Sequence, residues 1–584
     1  MDTSKEETIE ATLRQRIRKE RAREQALTPH DVYRCISNGE LVRATGNLLF
    51  HTAPPALDEK LKTVLDRVRQ AYVSGDIGLQ THILDFLVQL AIGFRSFLPN
   101  WVILRQLEIA EVVEMSENVS NVLMKLTRDG GEAYMQIAAN QHKQTIARLK
   151  AEGISNESEA KAMADRLMGN SLVDYVSNIA RELQSSNLME VSCARLRGET
   201  HTQLGNDYAA FLQYAIWLGA SFVTTNPVLI KLAWDIDPEF WNKRVDDLIL
   251  SKYTPDELNN LLQGPDRKLD TAITTISSIV TMAVVEENCR LLRDIFLITD
   301  GREGYVSLQV NPKSYNECEQ MVTEAKHLHA YLKDCLGGVP NVVFKLPATA
   351  AGKSAAQKLT SEGIGVTITV EFSVFQALGF AEVLRKGKML VAYLALMNGR
   401  IAYPVRDEMK EKDIEGGVEA ACWAGVEVAR KAYRRLYGPP EKGGMGIDPE
   451  RIRLLAASLR IYDDWIPDIS ELWDCPVITV FPDVRRKFDS QKRDFVNKAI
   501  LKATPAKEME VLRNSEIFRQ AWWMTGDPEE HKPKTVLSLE QKDSEALTKW
   551  PPLANTLGQF IDLYEETAEM VKERIKYLTA SNKE

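Results

Sequence analysis

One lysine interrupts an otherwise apolar run in the middle of the chain. Lys345 follows Val342-Val343-Phe344 and is followed by Leu346-Pro347. An amine in apolar surroundings loses its charge more readily, because burial penalises the ammonium form. A neutral amine attacks a ketone and forms a Schiff base. The competing reading is a lysine that snorkels at a strand edge or pairs with a carboxylate. Arg400 and Arg460 close two later apolar runs. Their planar guanidinium forks suit the bidentate recognition of phosphate. Salt bridging among loops is the competing reading for each arginine alone. The combination of a lysine and two arginines at run ends points toward a sugar-phosphate site.

The elements that must position these residues come as short β-type runs, each followed by a helical run. The runs are Met189–Ala194, Phe222–Thr225, Tyr305–Val310, Asn341–Leu346, Val366–Phe372, Met389–Leu396, Ile452–Ala457 and Pro476–Phe481. Strands alternating with helices imply right-handed βαβ units around a parallel sheet. Eight such units predict an α/β fold, a (β/α)8 TIM barrel, with its chemistry at the C-terminal ends of the strands. The run ends then bring together Thr225, Asn226, Gln309, Lys345, Thr367, Thr369, Arg400, Ser458 and Arg460. The longest insertion, between the second and third runs, reads as helix over Ile230–Leu297.

Outside the barrel the periodicity is helical. Leu61, Val64, Leu65, Val68 and Tyr72 form one apolar stripe, and Thr28-Pro29 reads as an N-cap followed by proline. The expected organisation is a helical N-terminal region (1–186), the barrel (187–500) and a helical C-terminal extension (501–584). In that extension Leu557, Phe560, Ile561, Tyr564 and Ala568 make a stripe able to pack on the barrel. The basic run Arg14–Arg23 reads as a solvated helix face, with a phosphate or nucleic-acid surface as the alternative.

Composition excludes several classes. The 584 residues carry 82 acidic and 73 basic side chains, a net charge of −9. That balance argues against nucleic acid as a partner. The seven cysteines are an odd number without C-x-x-C spacing, which fits a reducing compartment. No secretory leader is read at the N-terminus, and the most apolar stretch, His82–Phe94, reads as too short to span a bilayer. A cytoplasmic protein without membrane contact is the expectation. No metal is expected, since the eight histidines show no ligand spacing; His327 and His329, the one close pair, read as solvent-facing. Gly443-Gly444-Met445-Gly446 lacks the ending of a nucleotide loop.

Five motifs in order resemble the transaldolase family, including its fructose-6-phosphate aldolase relatives, over residues 188–490. They are Phe222-Val-Thr-Thr-Asn-Pro-Val-Leu-Ile230, Val342-Val-Phe-Lys-Leu-Pro-Ala-Thr-Ala-Ala-Gly352, Ser361-Glu-Gly-Ile-Gly-Val-Thr-Ile-Thr-Val-Glu-Phe-Ser-Val-Phe-Gln376, Asn398-Gly-Arg-Ile401 and Ala456-Ala-Ser-Leu-Arg460. The resemblance implies a cofactor-free enzyme that forms a Schiff base on Lys345 with a ketose phosphate. It would transfer or release a dihydroxyacetone-like unit. Asn226 would contact the hydroxyls of that unit, with Thr225 and Thr367 beside it. Thr369 would hold a catalytic water, and Gln309 falls where relatives have Glu or Gln. Arg400, Ser458 and Arg460 would bind phosphate.

The sequence departs from the family at the first strand. Aligning Leu188–Ala194 puts Ser192 where the family has a proton-transferring aspartate. Glu190, on the same strand face, is the expected replacement, and Asp207 is a second candidate. Thr367 replaces an asparagine, Met397 an aromatic residue, and Glu371 is an extra carboxylate. The alternative function is a catalytically altered homologue that binds sugar phosphate or acts as a scaffold. The N-terminal helices suggest assembly, including a homo-oligomer, or regulation.

Overall fold

A computed structural model describes residues 8–96, 107–225, 231, 234–235 and 238–580. Its centre is a closed barrel of eight parallel strands in sequence order. They are β1 Gln203–Asn206, β2 Phe222–Thr224, β3 Tyr305–Gln309, β4 Val342–Pro347, β5 Val366–Glu371, β6 Ala392–Leu396, β7 Ile452–Ala456 and β8 Val477–Val480. β8 closes on β1, with Gly205 opposite Thr479.

Seven of the expected strands form, but the first does not. Met189–Ala194 lies inside a helix, Asn187–Leu196, whose N-cap Ser186 accepts the backbone N–H of Leu188. The barrel begins instead at Gln203-Leu204-Gly205-Asn206. Only Leu204 of these is an apolar side chain of any size, so the run has no hydrophobic signature. Its glycine has a steric cause, because a Cβ on Gly205 would come within 2.6 Å of Thr479 Cγ2.

Strand alternation sorts the side chains into two environments. Leu204, Val306, Phe344, Ile368, Leu394, Leu454 and Ile478 join the layer beneath the surrounding helices. Phe222, Tyr305, Val343, Tyr393, Leu455 and Val477 fill the lower barrel interior. Ile17, fully buried, belongs to that interior cluster and comes from the helix Ile9–Gln25. The basic run therefore has a role the sequence did not show. Arg18 and Arg21 pair with Asp300 at 3.1 and 2.9 Å, Arg14 donates to the Asp300 carbonyl, and Glu20 pairs with Arg293. The helix is a plug for the N-terminal face of the barrel, and its other face, with Arg16, Arg18, Lys19 and Arg23, stays exposed as the sequence reading expected.

The N-terminal helices share one continuous core with the barrel's outer layer. The helix Ile77–Ser96 sits at the centre of their bundle, against Ile109–Thr127, Glu132–Ala151 and Leu172–Gln184. This helix is longer than its sequence read. By length and composition it and Lys268–Leu291 are long and apolar enough to cross a membrane, yet 56% and 50% of their apolar windows are buried inside the protein. The bundle is tied to the barrel by buried ions. Arg148 pairs with Glu152 at 2.7 Å and Glu182 at 2.9 Å, and Arg485, just after β8, also pairs with Glu152. His51 meets Asp294 at 2.8 Å.

The helix Pro551–Ala580 runs along helices of the insertion that follows β2. Val571 and Ile575 pack with Val245, Ile249, Leu258 and Ile276, and Arg574 Nε donates to Asp246 at 2.8 Å. His329, expected at the surface, instead turns its ring toward Phe344 at 6.4 Å, whereas His327 is exposed. All seven cysteines are free.

Candidate active site at the barrel mouth

Inward-facing residues change character toward the C-terminal ends of the strands. Above the aromatic floor come hydroxyls, with Ser307 Oγ 2.9 Å from Thr367 Oγ1. At that level β4 carries Lys345, which lies in register between Gln309 of β3 and Thr367 of β5. The lysine is 5% exposed. Burial pushes its amine down to about 8, opposed by the carboxylate of Asp207 and aided by the guanidinium of Arg400.

Asp207 is the residue after β1. Its backbone N–H donates to the Val480 carbonyl at 3.1 Å, which pins the turn to β8, and its carboxylate accepts from the Thr224 hydroxyl. Burial raises its pKa, and Lys345, Thr224 and Arg400 work in the opposite direction. The barrel thus has an aspartate at the end of its true first strand. Glu190 is elsewhere: it lies on the helix Asn187–Leu196, is 55% exposed and pairs with Arg197 at 2.6 Å. Ser192 donates to the Leu218 carbonyl at 2.8 Å and is likewise not at the mouth of the barrel. Asp207, the second candidate from sequence, rather than Glu190 faces the lysine, because the polar strand before it carries no apolar run to mark it.

The other expected residues divide. Thr225 is buried, and both its N–H and its hydroxyl donate to the Ser307 carbonyl, at 3.0 and 2.7 Å. It straps β2 to β3. Asn226 lies outside the described residues. Thr369 is buried with its hydroxyl 3.9 Å from the Met397 sulfur. The carbonyl oxygen of the Gln309 amide is buried without a partner among the described residues. It borders a cavity that Thr225, Ser277, Glu324 and Tyr564 also line. Glu324 accepts the Asn311 N–H at 3.0 Å, and burial raises it to about 7.

β5 ends irregularly. Val370 takes a left-handed φ of 54°, and the register with β6 shifts between Ile368 and Glu371. Glu371 then pairs with Leu396, whose side chain belongs to the outer layer. The bulge thereby takes Glu371 off the inward-facing series. It is fully buried, neither carboxylate oxygen has a partner among the described residues, and burial raises its pKa well above the ordinary range.

Two arginines close the other side of the mouth. Gly399 allows the turns after β6 and β7 to touch, since a Cβ there would meet the Ser458 carbonyl at 2.3 Å and Arg460 Cγ at 2.4 Å. Ser458 has a φ of 57°, and Arg460 Nη1 donates to the carbonyls of Ser458 and Leu459 at 3.1 and 3.0 Å. The Arg460 N–H donates to Asp468 at 3.0 Å. Arg400 is pushed down to about 10 by burial and then by Arg460, with Asp207 opposing. Its Nε has no partner among the described residues, and its Nη1 donates to Gln559. Two mutually repelling cations thus stand at this side of the mouth, with Asp207 near Arg400, and Asp468 and Asp483 near Arg460.

The last wall was not foreseen. Phe560, fully buried, has its ring centre 6.0 Å from Lys345 Nζ and 5.5 Å from Arg400 Cζ. The amphipathic stripe around it was legible in the sequence. Its position over the lysine was not, because the helix lies far along the chain.

Residues 206–523 match the family model described as Transaldolase/Fructose-6-phosphate aldolase. A transaldolase of Neisseria meningitidis is 27% identical over 231 residues, 35% of this chain and 61% of the relative. Transaldolase 2 of Streptomyces avermitilis is 32% identical over 152 residues, 26% of this chain and 34% of the relative. A transaldolase of Thiobacillus denitrificans is 29% identical over 159 residues, covering 27% and 38%. The chain thus spans less than two thirds of the length of these relatives.

Proposed function

The chain belongs to the transaldolase/fructose-6-phosphate aldolase family, and on that premise we propose that it cleaves or transfers part of a ketose phosphate through a Schiff base on Lys345. The observation that carries this reading is the buried Lys345 amine facing Asp207, in a mouth that also holds Arg400 and Arg460. An amine titrating near 8 supplies a useful neutral fraction at neutral pH.

Arg400 and Arg460 bind the phosphate of the incoming sugar and orient its ketone toward the lysine. The amine adds to the carbonyl carbon, and loss of water leaves an iminium. Asp207 takes the proton of the hydroxyl two carbons away. The bond from that hydroxyl's carbon to the carbon next to the iminium breaks, its electrons pass into the iminium to give an enamine, and an aldehyde phosphate leaves. The resulting enamine either adds to another aldehyde, which is transfer, or takes a proton and is hydrolysed, which is release. In both cases the lysine is regenerated. Thr369 holds the water of these proton transfers, and Gln309 lies beside the lysine on β3. The iminium is the electron sink, so no organic cofactor or metal is needed.

Borohydride trapping tests the reading. The protein is incubated with fructose 6-phosphate and with unphosphorylated dihydroxyacetone, reduced, and mapped by mass spectrometry. A mass increment on Lys345 is expected. Its absence across a panel of ketoses and ketose phosphates would refute the proposal. An adduct that never yields aldehyde would instead assign the chain to sugar-phosphate binding.

A further inference from the structure

The residues that face Lys345 and Arg400 across the mouth come from a segment beyond residues 206–523, the part matched by the family model. They sit on the helix Pro551–Ala580, whose path is fixed at both ends. At one end Trp550 packs edge-on against Phe372, 6.1 Å between ring centres. At the other, Val571 and Ile575 are buried among helices of the insertion. Between these anchors Phe560 lies over the space separating Lys345 from Arg400, and exposed Gln559 holds Arg400 Nη1 at the rim.

From this geometry we infer that Gln559 and Phe560 are the specificity-determining residues of the site, selecting for a phosphorylated ligand and against excess chain length. This inference rests on the proposed function for its substrate, though not for its first measurement. Gln559 gives Arg400 a neutral acceptor in the resting protein. A phosphate dianion displaces it readily, because its hydrogen bonds to guanidinium are charge-assisted. A neutral hydroxyl has no such advantage, so the amide screens ligands by charge. Phe560 acts on shape. A chain linking the lysine to the arginines must pass the ring, which is buried and held by the helix on which it sits.

Titration calorimetry with inorganic phosphate on the full chain reads the charge filter without any turnover. Gln559→Ala is expected to tighten phosphate binding about fivefold, by removing the competing acceptor. Gln559→Glu is expected to weaken it about tenfold or more, by placing a carboxylate on Arg400. Residue 559 is exposed, so neither change threatens folding. For the shape filter, Phe560→Ala and the milder Phe560→Leu are compared by kcat/KM for a seven-carbon against a six-carbon ketose phosphate. The ratio is expected to rise about tenfold for Ala and less for Leu. Phosphate affinities of both Gln559 variants within twofold of the parent would overturn the charge filter, and an unchanged ratio in both Phe560 variants the shape filter. If phosphate binding shifts as expected while borohydride traps nothing on Lys345, the filter stands and the Schiff-base chemistry fails. Trapping on Lys345 without any such shift has the opposite meaning.

Discussion

At the floor of the barrel, charged groups of opposite sign stand in pairs, although Arg195 Nη1 makes no hydrogen bond among the described residues. Glu303 pairs with Arg195 and accepts from Ser221 Oγ at 2.7 Å, Arg453 has Glu450 at 3.3 Å, and Glu20 holds Arg293. At the mouth, the same residue types are left in conflict. Arg400 faces Arg460, Arg400 Nε and Gln309 Oε1 have no partner among the described residues, and Lys345 shares the Asp207 carboxylate with Arg400. Burying ions without full pairing is costly. Where it persists, it marks chemistry rather than support. The floor holds the barrel shut; under the proposed function, the mouth keeps charge available for a ligand.

Breaking the mouth should abolish activity while leaving the fold. Lys345→Met is expected to lower turnover on the order of 10⁴-fold or more and to remove the borohydride adduct, since it deletes the buried amine that would form the imine. A Lys345→Arg protein with full activity would refute the mechanism. Next in size is Asp207→Asn, expected to cost about 10²- to 10⁴-fold in turnover, the usual range for a lost general base. Trapping on Lys345 should survive it. The same variant sharpens the electrostatic contrast. Lys345 reacts as the neutral amine, so the rate of imine formation should rise with pH and level off above about 8. The Asp207 carboxylate favours the ammonium form. Removing it should shift that limb to lower pH, and a shift to higher pH would contradict the arrangement.

Arg400→Ala comes third. It should raise KM for a ketose phosphate about 10- to 100-fold, with little effect on an unphosphorylated ketose, as steady-state kinetics on both would read. The smallest effect on activity belongs to the floor. Ile17→Ala should lower stability by about 2–5 kcal/mol, measured by denaturant unfolding, while kcat of the folded protein stays within about twofold. A large loss of kcat there would break the division of labour between the two ends.

The legibility of the sequence follows the same division. β2 through β8 announced themselves as apolar runs because one face of each packs under helices. β1 did not, since two of its four residues are an inward glutamine and an inward glycine set by barrel closure. That gap displaced the first strand, and with it the aspartate. Lys345, Arg400 and Arg460 were legible, because a cation at the end of an apolar strand is locally conspicuous. Phe560 and the partners of Arg14–Arg23 were not. Their meaning lies in contacts hundreds of residues away, which no local period encodes.

The plug at the barrel floor also has a consequence for synthesis. Glu20 accepts the backbone N–H of Val339, 319 residues later in the chain. At about 5–20 residues per second, tens of seconds separate the appearance of the two on a ribosome. The helix Ile9–Gln25 must wait through that interval with Ile17 and Leu13 uncovered. Its dense charge is then what keeps it soluble until there is a barrel to close. A segment that reads as decoration on the finished protein is, during its making, a part held in reserve.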